Sequence, residues 1–175
     1  MPHLLRDYPL DGNRFDFLSP ATAGGMIACA PGRIFLWATL TEPETPQHHL
    51  STKPIPFLVD TGFDGNFLIG RQQLASWIGL IPSPDTLIRQ NIPLGRVAGT
   101  LVADLYCFDL WAYPQVGAPT ASPPPSLPFR VFSGIEVYVH QGSGFPPLLG
   151  MGALRASVAN LHIDCLTKFC NFAVP

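Results

Sequence analysis

Short apolar runs bounded by Gly, Pro and polar turn residues organise this chain, and long helical periodicities are scarce. That pattern is typical of a β-rich fold with many turns. Residues 129–140 read as one strand interrupted at Ser133-Gly134. We predict strands over 34–40, 56–59, 66–69, 86–89, 99–111, 129–140 and 148–150, and a closing hairpin formed by 161–164 and 169–172.

Two short helices are expected beside these strands. Within 71–80, Leu74, Trp77 and Ile78 recur at helical spacing and Gly79 lies near the end of the segment. Residues 152–156 are long enough for a brief helix. The pattern therefore predicts a mainly β, all-β fold with one or two short helices.

The remaining segments are predicted as turns and loops. Residues 91–95 are turn-prone, and 118–128, which contain five prolines, are read as a loop insertion. Residues 1–32 are expected to form an irregular N-terminal leader, so the folded domain is predicted to span 33–175.

Composition narrows the class of protein. The chain has 175 residues, which suffices for one domain with a sizeable core, and only 13% of them are charged. An ordinary domain carries about a quarter charged residues, so we expect a partner to cover part of the surface.

The net charge of -2 without a basic run disfavours nucleic-acid binding. No apolar run reaches the roughly 20 residues that cross a bilayer, and no secretory signal is recognised. Four irregularly spaced cysteines fit reduced thiols in a cytoplasmic protein.

The triplet Asp60-Thr61-Gly62 carries the candidate chemistry because it directly follows an apolar strand. A carboxylate at the end of such a buried strand is partly desolvated, and the missing Cβ of Gly62 lets another chain or a substrate approach closely. Two carboxyl groups in contact share one proton, so that one serves as a base and the other as an acid. The triplet occurs once, so a second copy of the chain would have to supply the other carboxylate. Alone, the triplet is better read as a tight turn.

Two longer segments around and after the triplet argue against an isolated tight turn. The run 57–69, with the helix ending at Trp77-Ile78-Gly79-Leu80, resembles the first half of small bacterial retropepsin-like aspartic proteases of clan AA. Pro147-Leu148-Leu149-Gly150, followed by a short helix, is similar to the second hallmark of that family. The resemblance covers about 33–172 and implies a retropepsin-like acid-protease barrel with one Asp-Thr-Gly lobe in each chain of a homodimer.

The resemblance also implies roles for individual residues. Asp60 would be catalytic, with Thr61, Gly62 and Asp64 as active-site support. Gly62, Phe63 and Asp64 would contact a peptide or protein substrate, and no metal or other cofactor is implied. A hairpin flap would lie within 86–105, with 91–99 at its tip.

One position departs from the family pattern. Many retroviral relatives have an Arg directly after the two apolar residues and glycine, where it pairs with the carboxylate equivalent to Asp64. This chain has Met151 there. Arg155 or Arg71 is a candidate substitute.

Three alternatives remain open from the sequence. The chain is either an active endopeptidase or a catalytically inactive binding or dimerisation module that keeps the same fold. Residues 1–32 are read first as loops, with a cleft cover, a dimerisation segment or a removable pro-segment that occupies the cleft as the alternatives. His48-His49 with Cys165 and Cys170 matches no zinc spacing, so a metal site is disfavoured.

Overall fold

The structure, a computed structural model, describes residues 3–10, 15–18, 26–29, 32–45, 51–96, 99–118, 120–142, 146–156, 160–164, 166 and 168–173. Short helices lie at Gln73–Ile78, Pro84–Thr86 and Met151–Ala156. The strands are β1 (His3–Pro9), β2 (Phe15–Leu18), β3 (Met26–Cys29), β4 (Phe35–Thr41), β5 (Ile55–Asp60), β6 (Phe67–Gly70), β7 (Leu87–Arg96), β8 (Gly99–Ala112), β9 (Gln115–Val116), β10 (Phe129–His140), β11 (Leu148–Gly150), β12 (Asn160–Asp164) and β13 (Phe169–Ala173).

Six of these strands close into a barrel. Hydrogen-bonded neighbours follow the order β10-β6-β11-β5-β4-β8, and β8 pairs back onto β10. The β11–β5 and β10–β6 pairs are parallel, and the other pairs of the ring are antiparallel. β7 adds to β8 outside the ring. The prediction of an all-β barrel with few short helices is therefore confirmed.

The core explains why β4 reads as an uninterrupted apolar run. All seven of its residues are buried, because alternate side chains enter two different clusters. Leu36, Ala38 and Leu40 join the main core, whereas Phe35 and Trp37 pack with Leu58 in a second cluster. Burial of each large apolar side chain stabilises the fold by about 1.5–3 kcal/mol, so β4 is a central wall of the barrel.

The region expected to be an irregular leader contains β1, β2 and β3, so that expectation is wrong for these segments. β1 lies between β13 and β9 in a second sheet of order β12-β13-β1-β9. Leu4, Leu5 and Tyr8 of β1 are buried in the main core. The Tyr8 hydroxyl also accepts the Phe35 N–H at 3.3 Å. β1 forms because its apolar side chains complete the core and the edge of β13 satisfies its backbone.

The prediction of a turn at 91–95 is also wrong. β7 continues through this segment to Arg96, which pairs with Gly99 of β8. Asn91 adopts a left-handed φ of 54° inside the strand, where the register with β8 shifts between Arg89 and Ile92. Asn tolerates this conformation better than most residues, so a turn-prone residue here makes a β-bulge rather than a reversal.

The helix and loop predictions agree better with the structure. The helix Gln73–Ile78 ends at Gly79, whose φ of 82° only glycine adopts readily. The described part of 118–128 contains neither strand nor helix. Its Thr120 carbonyl accepts the Trp37 indole N–H at 3.3 Å. No helix in the described ranges is long and apolar enough to cross a membrane.

We predict that the Cys170 thiol resists alkylation in the native protein. Cys170 is fully buried in β13, and burial raises its pKa to about 11. The reactive thiolate is therefore scarce at pH 8. Iodoacetamide labelling followed by peptide mass mapping should find Cys170 unmodified in buffer and modified in guanidinium chloride. Rapid native labelling would contradict the packing of β13.

Candidate active site

Asp60 lies where β5 leaves the barrel wall. Ile55 to Val59 are buried, Asp60 is half-exposed, and Thr61 and Gly62 are exposed. The chain turns at once, because the Phe63 N–H donates to the Asp60 carbonyl at 3.2 Å. The sequence thus places a carboxylate at the surface end of a buried strand.

The Asp60 side chain is oriented by its own loop. Its Oδ1 accepts the Gly62 N–H at 2.9 Å. A Cβ at position 62 would lie 3.2 Å from the same oxygen, so a side chain there would crowd the carboxylate. Oδ2 receives no hydrogen bond from the described residues, which leaves one carboxylate oxygen available to an incoming group.

The loop 61–66 is held from beneath by the second sequence motif. β11 runs parallel to β5, with Gly150 opposite Asp60. Gly150 N–H donates to the Asn66 carbonyl at 2.8 Å, Met151 N–H to Phe63 at 2.7 Å, and Gly152 N–H to Gly65 at 3.1 Å. Three consecutive backbone donors therefore fix the loop that follows Asp60.

Two glycines make this approach possible. A Cβ at position 150 would meet the carbonyl oxygens of Gly65 and Phe63 at 2.3 and 2.5 Å. A Cβ at position 152 would lie 2.8 Å from the Asp64 carbonyl oxygen. These distances are too short for any side chain, so the spacing Gly150-Met151-Gly152 is a steric requirement of the Asp60 loop.

The other predicted site residues differ in their surroundings. Thr61 and Asp64 are exposed, and no described residue bonds the Thr61 hydroxyl. The half-buried Phe63 ring packs edge-on against Tyr138, with ring centroids 6.2 Å apart. Phe63 thus helps to seat the loop, and its predicted contact with substrate stays a prediction, as do the roles of Thr61, Gly62 and Asp64.

Neither arginine considered as a substitute for the family's Arg pairs with Asp64. Arg71 donates to Asp104 Oδ2 at 2.9 Å and to the Tyr106 hydroxyl at 3.2 Å. Arg155 is exposed at the end of its helix, and no ion pair of Asp64 occurs among the described side chains. Met151 supplies only its backbone N–H, so the loop is held by main-chain hydrogen bonds instead of by an arginine.

A hairpin occupies the segment where a flap was expected. β7 and β8 pair antiparallel up to Arg96 and Gly99, and residues 97–98 lie outside the described ranges. The flap function of this hairpin stays a prediction.

The remaining candidates yield no cation site within the described residues. No group of three or more His, Cys, Asp or Glu side chains there is placed to hold a metal ion. His48, His49 and Cys165 lie outside the described residues. His140 is buried, and its Nδ1 accepts the Gly142 N–H at 3.0 Å, which is a structural role.

Sixteen chains of solved structures resemble this chain. The crystal structure of a retropepsin-like aspartic protease from Rickettsia conorii aligns with a TM-score of 0.49 and 18% identity, covering 81% of this chain and 90% of that one. No protein-family model and no curated protein matches the chain. A likeness at this TM-score and identity assigns neither a family nor an activity to the chain.

Sequence reasoning missed the partnership of Arg71 with Asp104. A signal was present, since Asp104 is a lone acidic residue between Leu101-Val102-Ala103 and Leu105-Tyr106. A charge inside an apolar strand calls for a partner, but its identity depends on how β6 and β8 fold together.

We predict that Gly150→Ala destabilises the fold by about 1–3 kcal/mol or more, because the new Cβ overlaps two backbone oxygens that cannot rotate away. Gly95→Ala is the matched control, since a Cβ there meets no atom within 4 Å. Urea unfolding measures both free energies. Equal stability of the two variants would contradict the close docking of β11 on the Asp60 loop.

Proposed function

We propose that this chain is an aspartic endopeptidase in which the Asp60 carboxylates of two copies activate a water molecule between them. The observation that carries the proposal is the placement of Asp60. A half-exposed carboxylate ends a buried strand, and a loop held by backbone hydrogen bonds fixes its surroundings. An ordinary surface turn needs no such support, whereas catalysis depends on positioned groups.

The proposed reaction uses one ionised and one protonated carboxyl group. The carboxylate takes a proton from water as the water oxygen bonds to the peptide carbonyl carbon, and the carboxylic acid donates its proton to the carbonyl oxygen. The tetrahedral diol then collapses. The carboxyl group that took the water proton now protonates the nitrogen, and the other carboxylate takes a proton from a diol hydroxyl. The C–N bond breaks, and a carboxylic acid and an amine leave. Both carboxyl groups return to their starting states, so no cofactor is consumed.

The need for two carboxylates makes a homodimer part of the proposal. The chain has one Asp-Thr-Gly triplet, and like charges in contact stabilise a shared proton. The exposure of Thr61 and Gly62 supports this arrangement, since both are accessible to a second copy. A two-fold axis beside the loop would bring each Asp60 to its equivalent.

The proposed substrate is an extended peptide or protein segment. Such segments bind proteases by strand-like backbone hydrogen bonds, and the outer edge of β7 is a strand edge beside the barrel. We also propose a cytoplasmic location. The free thiols of Cys107 and Cys170 support a reducing compartment.

A non-catalytic binding module is the second candidate. The observation that favours it is Asp64, which lacks a cationic partner among the described residues where the resemblance implies one. Such a module would cleave no peptide, and the Asp60→Asn substitution would leave its affinity for peptides unchanged.

We predict that Asp60→Asn lowers cleavage by about 10²–10⁴-fold, because an amide cannot serve as the base. An unbiased peptide library, analysed by mass spectrometry, first identifies a substrate for the wild type. Asp85→Asn is the matched control, since Asp85 is an exposed aspartate that is likewise followed by Thr, but lies in the helix Pro84–Thr86. Equal cleavage by wild type and Asp60→Asn would reject Asp60, and an absence of cleavage by the wild type would favour the binding module.

Mixing of subunits tests the requirement for two carboxylates. We predict that equal amounts of wild type and Asp60→Asn, re-paired at random, give about half the activity of the wild type alone. Half of the wild-type subunits would then pair with a mutant subunit, which supplies no second carboxylate. Mixing with Asp85→Asn instead should double the activity. Unchanged activity after mixing with Asp60→Asn would mean that one subunit suffices.

A further inference from the structure

The outer end of the β7–β8 hairpin leaves the barrel as an arm. We define the arm as residues 92–96 of β7 and 99–103 of β8. β8 pairs with β10 only as far as Ala103, which lies opposite His140. Beyond Ala103, β8 pairs with β7 alone within the described residues. Of the arm side chains described, only that of Ala103 is buried.

A two-stranded ribbon with so little burial does not fix its own direction. Isolated hairpins are marginally stable in water, so the angle of the arm must be set at its base. β7 contains two register shifts there, between Leu87 and Arg89 and between Arg89 and Ile92. Bulges of this kind bend a strand and increase its twist.

Asp104 lies opposite the second bulge and uses both carboxylate oxygens. Oδ1 accepts a hydrogen bond from the Asn91 N–H at 3.1 Å, and Oδ2 accepts one from Arg71 Nη2 at 2.9 Å. Only 17% of the Asp104 side chain is exposed, against 40% for Arg71. One carboxylate therefore ties the strained residue of β7 to an arginine outside the hairpin.

Arg71 is itself firmly placed. It directly follows β6, whose last residue Gly70 pairs with His140 and donates its N–H to Gln73 Oε1 at 2.9 Å. The Arg71 Nε is buried without a hydrogen-bond partner, so this guanidinium is partly desolvated and depends on Asp104 for compensation. β6 also pairs with β11, the strand that holds the Asp60 loop.

We propose that Asp104, held by Arg71, is a positioning residue that sets the angle of the arm relative to the Asp60 loop. The arm closes on a bound peptide in the right place only while the Asn91 bulge keeps its shape. This catalytic consequence rests on the proposed endopeptidase function, whereas the anchoring of the arm does not.

Amide hydrogen exchange of the full-length protein tests the anchoring. In Asp104→Ala and in Arg71→Gln, exchange of the arm amides should rise by about tenfold, while β5 and β11 keep their protection. Arg89→Gln is the matched control, because Arg89 is an exposed arginine of the same hairpin with no ion pair among the described residues. The double variant should exchange no faster than Asp104→Ala, since both changes act on one contact.

Unchanged arm exchange, or an equal rise in the barrel strands, would overturn the proposal. Kinetics add a second readout once a cleaved peptide is known. Asp104→Ala should raise KM by about tenfold with a smaller change in kcat, because the arm contributes to peptide binding; an unaltered KM would overturn the role in positioning. If the wild type cleaves no peptide, the endopeptidase proposal fails, while the exchange result still decides whether Asp104 anchors the arm.

Discussion

The docking of β11 on the Asp60 loop is the constraint on which the rest of the site depends. Gly150, Met151 and Gly152 donate consecutive backbone N–H groups to the loop carbonyls. This contact joins two segments far apart in sequence and needs the absence of a Cβ at two positions. Because main-chain atoms hold the loop, it keeps its shape with a methionine at position 151, which supplies only its backbone N–H.

The barrel gives this contact its rigidity. β5 and β11 lie side by side, and β6 pairs with β11 on the other side. The same β6 leads directly to Arg71 and through Asp104 to the hairpin. β6 thus connects to the Asp60 loop on one side and, through Arg71, to the base of the arm on the other. A distortion of β6 would therefore displace both.

Much of the fold was predictable because strand-length apolar runs and turn residues carry local information. β10 and β11 match their predicted bounds, and β4, β5 and β6 lie within a residue of theirs. The errors lie where tertiary contacts decide. β1 is a strand because Leu4, Leu5 and Tyr8 complete the core, and Asn91 forms a bulge because Asp104 holds its N–H. At the site, the Asp60 triplet and the Gly150 motif were found from sequence, whereas the pairing of Arg71 with Asp104 was not.

We propose that Asp60 contacts the Asp60 of a second copy of the chain. The most direct measurement is an experimental structure of the assembly in solution conditions that support cleavage, with the separation of the two Asp60 carboxylates as the readout. We expect an oxygen of each carboxylate to lie within hydrogen-bonding distance of the other, about 2.5–3.0 Å, across a two-fold axis. Carboxylates that face solvent separately in every assembly the chain forms would contradict it.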